Sequence, residues 1–172
     1  QSYKLDLNKM EIKKIFDKIV GFAIKRVVEL LGIIFVFLAI LLFLSLISYN
    51  PDDPNFIFTE NVQIKNLLGI QGSYISDLFF QSLGLVSLLI PFTFFFTGIN
   101  VFRNKKILII IENTFLIIMY CISASLFFAF FYKNSFWLNI NGNGGFVGNY
   151  LIDSFIFSLM DINQNITYYI FI

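Results

Sequence analysis

Three long apolar runs, at residues 27–47, 78–102 and 107–131, constrain this chain more than any other feature. Each holds at least 20 residues, and across all three the only acidic side chains are Glu29 and Glu112. A helix rises about 1.5 Å per residue, so roughly 20 apolar residues cross a hydrocarbon core about 30 Å thick. Inside lipid a backbone must satisfy its own hydrogen bonds, and a helix does so within the segment. The runs therefore predict an all-α, polytopic transmembrane domain. Composition agrees: 58% of residues are hydrophobic, 19% are aromatic, and the mean hydropathy is +0.79, all above the range of soluble domains.

The same composition removes several kinds of chemistry. The chain has no His and a single Cys, Cys121, which lies in mid-span. An intrachain disulfide, His-based metal sites and Cys–His catalytic pairs are excluded, and Cys121 reads as a small apolar packing residue. No catalytic, cofactor-binding or metal-binding residue is expected. The first apolar run starts too far in and is too long to be a signal peptide, so it should stay as an anchor. Because the first residue is Gln, the natural start is expected to lie upstream.

Charge gives the orientation. Residues 1–26 carry Lys4, Lys9, Lys13, Lys14, Lys18, Lys25 and Arg26 against Asp6, Glu11 and Asp17, and residues 103–106 carry Arg103, Lys105 and Lys106. Residues 49–77 hold Asp52, Asp53, Glu60 and Asp77 with Lys65 alone, and Lys133 is the single cation between 132 and 165. Lys and Arg in short loops mark the cytoplasmic side, which places the N-terminus and the 103–106 loop inside. The expected order is a basic inner stem at 1–26, a first span at 27–48 and an outer loop at 49–77. A second span at 78–102, the inner loop at 103–106 and a third span at 107–131 follow. An outer segment with a Gly-rich turn and short helix occupies 132–165, and a fourth span opens at 166–172. A chain that stops inside a span is expected to be a fragment.

Local motifs fill in this layout. Ile12, Ile15, Phe16, Ile19, Val20 and Ala23 recur at helical spacing with lysines off the stripe, predicting an amphipathic helix on the inner membrane surface. Pro51 is expected to stop the first span and Pro54 to stiffen the turn, with Asp52 and Asp53 between them too few for a calcium site. Gly69 and Gly72 suit a tight turn, with Ser73 or Ser76 capping the helix that follows and Asp77 in its early turns. Pro91 should bend the second span, and Gly84, Ser87, Ser123, Ala124, Ser125 and Ala129 offer small-residue strips for close helix contact. Glu112 and Asn113 form the one polar pair well inside a span, a candidate transport site. Gly144, Gly145 and Gly148 lack the spacing of a nucleotide loop and read as a flexible turn.

Taken in order, these features resemble the N-terminal four-helix membrane domain of the FtsK/SpoIIIE family of bacterial DNA translocases. The resemblance rests on Ser48-Tyr49-Asn50-Pro51-Asp52-Asp53-Pro54, then Asn66-Leu67-Leu68-Gly69-Ile70-Gln71-Gly72 with Asp77. It continues through Gly84, Pro91 and Gly144-Gly145-Phe146-Val147-Gly148. It implies a completed fourth span and anchorage in the bacterial inner membrane at the division septum. It also implies contact with other cell-division membrane proteins and assembly into hexamers. ATP, magnesium and DNA would then be handled by a downstream cytoplasmic motor, since no phosphate-loop motif occurs in this chain. Pro51, Asp52, Asp53, Pro54, Gly69, Gly72, Asp77, Pro91, Gly144, Gly145 and Gly148 would set turns and helix ends. A small transporter subunit using Glu112 and Asn113, or an unrelated membrane scaffold, stay open as alternatives.

Overall fold

A computed structural model describes the backbone at residues 2–56, 63–134, 138 and 140–156, with side chains between residues 13 and 154 of these. The described residues form helices and turns in the order α1 (Ser2–Ile47), α2 (Gly69–Leu83), a 3-10 segment (Gly84–Leu88), α3 (Leu89–Asn104), α4 (Leu108–Phe131) and α5 (Gly145–Leu151). α5 runs on into a π-type turn at Ile152–Ile156. Three stretches are long and apolar enough to span a membrane: Lys13–Ile47, Gly69–Asn104 and Leu108–Phe131. The fold is thus an all-α membrane domain. The start of a fourth span at 166–172 lies outside the described residues.

Two expectations about element boundaries change. α1 is one unbroken helix of 46 residues. The basic stem therefore runs into the first span as one helix, where the sequence predicts a separate amphipathic helix. The junction, residues 20–30, contains no Pro to interrupt the backbone ladder.

The second change concerns residues 69–104. Helix begins at Gly69, nine residues before the apolar run, and it breaks at Gly84–Leu88. Ser45 of α1 bonds Gly72 in α2, while Phe43 of α1 stacks edge-on against Phe92 in α3 at 5.5 Å between centroids. Residues 72 and 92 of a straight helix would stand about 30 Å apart. Both meet the same turn of α1, so the chain folds back at the break. The 3-10 segment and α3, residues 84–104, suffice to cross the membrane, and α2 packs over the outer end of α1.

The break itself sits at Gly84, whose φ of 69° is left-handed backbone that a Cβ disfavours. Pro91 was expected to make the bend; it stands instead in the first turn of α3, where a missing N–H costs little. α1 and α3 pack antiparallel through Gly32 and Gly98, each placed so that a Cβ would collide with the other helix's backbone. Phe35 and Phe94 meet edge-on above that contact at 5.6 Å. Leu42, Leu46, Phe80, Val86, Ile90, Cys121 and Leu138 form the buried core at the outer half.

Candidate functional site

The outer end of α1 is where the family-like residues gather, and its chemistry starts from a general problem. A helix leaves its last four carbonyls without intrahelical partners, and near lipid such groups are costly. Ser48 answers first, its Oγ donating to the Leu44 carbonyl at 2.6 Å and accepting the Leu67 N–H at 3.0 Å. Asn66 answers next. Its buried amide donates to the carbonyls of Ser45 at 2.9 Å and Ser48 at 3.3 Å.

Asp53 holds Asn66 in place. Its carboxylate, 5% exposed, accepts the backbone N–H groups of Lys65 at 2.9 Å and Asn66 at 2.8 Å. A carboxylate bonded to backbone donors contributes about 1.5–3 kcal/mol per bond. Asn50, Pro51, Asp52 and Asp53 form a turn closed by Asp53 N–H to Asn50 C=O at 3.1 Å, with Pro51 at the position where its fixed φ fits best. Pro51 is therefore a turn former on the surface. The span ends at Ile47, three residues ahead of the backbone that Pro51 restricts, because Ser48 and Asn66 close it. Asp52 is exposed and pairs loosely with Lys65 at 3.6 Å.

α2 docks on this clamp. Ser45 Oγ donates to the Gly72 carbonyl at 2.7 Å, and Ser73 Oγ donates to the Pro54 carbonyl at 2.6 Å. A Cβ on Gly72 would run into the Asn66 amide and Leu68, so the approach requires glycine. Gly72, Ser73 and Ser76 are interior to α2: Gly72 makes no turn, and neither serine caps the helix. Asp77 lies in the third turn of α2, beyond the reach of the helix N-terminus, and accepts from Tyr49 Oη at 3.3 Å and Gln81 Nε2 at 3.4 Å. Burial against Phe80, and then the Asp77 carboxylate, push the Tyr49 phenol up to about 12.

A second outer junction is built from glycine. Leu85 N–H donates to the Asn143 carbonyl at 2.9 Å, and a Cβ on Gly84 or Gly145 would strike the other's backbone segment. Gly144 and Gly148 press in the same way on Ser125 and Ala129 of α4. Ser125 Oγ donates to the Leu83 carbonyl, beside the break, at 2.9 Å. Asn141, Asn143 and Asn149 tie the turn to the Gln81, Tyr132 and Asn141 carbonyls. The Gly-rich segment is thus a packed wedge between the α2–α3 break and α4.

At the inner end, Glu29 receives Arg26 at 2.6 Å and Lys105 at 2.7 Å, joining α1 to the inner loop. Lys105 is thus committed to Glu29. Asn113 donates to Thr97 at 2.8 Å, Thr97 to the Thr93 carbonyl at 2.6 Å, and Thr93 meets Tyr120 at 3.1 Å. Glu112 is exposed beside this ladder and has no hydrogen bond to it among the described residues; neighbouring helix positions point about 100° apart. Among the described residues no group of three metal-capable side chains forms.

Ser45, Gly32 and Gly98 were not singled out by sequence, and Asn66 entered only as part of the family-like motif. The two glycines could have been found as isolated small residues inside apolar runs. Asn66 offered no periodic signal, because its partners lie 21 and 18 residues away.

These features define a polytopic helical membrane domain whose outer face is locked by a polar clamp and a glycine wedge. The chain belongs to the FtsK/SpoIIIE family: the model for the 4TM region of DNA translocase FtsK/SpoIIIE matches residues 24–166. It is 38% identical over 80 residues to the DNA translocase FtsK of Rickettsia typhi, which covers 46% of this chain and 11% of that protein. It is 42% identical over 60 residues to that of Rickettsia bellii, covering 35% and 8%. With that of Pseudomonas putida it shares 32% over 69 residues, covering 40% and 8%. The chain thus spans about a tenth or less of these relatives' length, and no solved structure matches it.

Proposed function

We propose that this domain anchors a DNA translocase of cell division and chromosome segregation in the bacterial cytoplasmic membrane, gathers it at the septum and organises its oligomer. The match of the 4TM family model across residues 24–166 carries the reading. The rigid outer clamp supports it, since contact with other division proteins outside the membrane needs a defined surface. A hexamer is the assembly that family resemblance implies. ATP and magnesium would bind a motor encoded beyond this chain, and DNA would be met only by that motor.

Two measurements test this. Reading the gene past the codon for Ile172 should show a fourth span, a linker and a phosphate-loop motor; an early stop codon removes the DNA-pumping role. A fluorescent fusion of the full protein should form a mid-cell band. Even membrane fluorescence in dividing cells would remove the septal role while leaving the anchor. A transporter subunit finds less support, because Asn113 is committed to Thr97 and Glu112 does not share its site.

A further inference from the structure

Between α3 and α4 runs a groove of about 490 Å³, within the roughly 300–1,000 Å³ usual for ligand sites. Leu89, Phe92 and Phe96 line it on the α3 side, with Asn100 at its inner end facing Asn113 of α4. Tyr120 and Thr93, bonded to each other, lie along it nearer the outer half. Spacings of four, four and three residues put Phe92, Phe96, Asn100 and Arg103 on one stripe of α3. The apolar groove therefore opens at the inner surface onto Arg103 and the 103–106 loop.

The charges at that mouth are unbalanced. Glu29 takes up Arg26 and Lys105, whereas Arg103 and Lys106 are exposed and have no acidic partner among the described residues. The Asn100 amide is likewise exposed and without a hydrogen bond among the described residues. An apolar channel, an unpaired amide at the depth of ester groups and two free cations at headgroup level match the parts of one molecule in order. Basic pockets between spans on the cytoplasmic side hold anionic headgroups by this arrangement.

We propose that this groove binds one anionic diacyl phospholipid, its phosphate on Arg103 and Lys106, its ester region on Asn100 and its acyl chain along Phe96 and Phe92. The site is separate from the anchoring role and depends only on the membrane orientation. Glu112, exposed one position from Asn113, takes no part in holding an anion.

The test is native mass spectrometry of the full chain, released from micelles containing equal phosphatidylglycerol and phosphatidylcholine. One phosphatidylglycerol should be retained with a preference of roughly 30-fold, the order expected of two basic contacts. Arg103→Gln with Lys106→Gln should abolish the preference at unchanged helicity by circular dichroism, and Asn100→Leu should weaken it severalfold. Replacing Lys13, Lys14 and Lys18 by Gln, and separately Glu112→Gln, should leave one lipid bound. No preference in the parent chain would overturn the site. So would an equal loss from the stem lysines, which would assign the effect to overall charge at the inner face.

Discussion

At the residue scale, Asn66 and Pro51 separate two ways of ending a membrane helix. Removing the Asn66 amide leaves the Ser45 and Ser48 carbonyls short of a donor in a buried place, so Asn66→Ala should cost about 1–3 kcal/mol. Pro51→Leu touches an exposed turn and should cost no more than about 0.5 kcal/mol. Denaturant titration of helicity in micelles measures both, and equal losses would return the helix stop to Pro51. Tyr49 gives a pH signature. Its folded phenol is pushed up from the ordinary 10 to about 12, so its contribution is complete below pH 10 and fades as pH rises towards 12. An absorbance titration should show one late-ionising tyrosine that Tyr49→Phe removes, and alkaline unfolding of that variant should lose this component. Asp53 as a turn residue was readable from its Pro-flanked motif. Its grip on Asn66 was not, because the loop between them has to close first.

At the element scale, the helices meet where glycine lets backbones touch. Cysteines placed at Phe35 and Phe94, in a background where Cys121 is Ala, should be joined across α1 and α3 by a short bis-thiosulfonate cross-linker. Adding Gly98→Leu should abolish it, because Gly32 and Val36 already occupy that space. Unchanged cross-linking would mean the helices do not rely on this crossing. Gly145→Ala should lower the unfolding midpoint by the equivalent of at least about 1–2 kcal/mol, since the added methyl meets the Leu83–Gly84 backbone. Small residues in the second and third spans were visible in the sequence as packing strips. Which glycine faces which was not, and the role of 142–148 as a wedge emerges only once Gly84 and Asn143 are seen together.

At the scale of the whole molecule, the order of spans and the charge of the loops set the topology. Single cysteines at Asp52 and Ile140 should react with a membrane-impermeant maleimide added outside cells, and one at Asn104 should not. Labelling at Asn104 from outside would invert the molecule and move the proposed lipid site to the wrong leaflet.

The sequence by itself determined that this chain lives in a membrane and which stretches are apolar enough to cross it, and its loop charges set the expected direction of the spans. Those properties follow from local sums of hydropathy and charge, which need no knowledge of distant residues. The tertiary structure alone decided that the second apolar run folds back at Gly84 and that Asn66 closes the first span. Each of these depends on a partner far along the chain. A carbonyl left open by one helix can be satisfied by any nearby donor, and only the folded packing selects which one comes within reach.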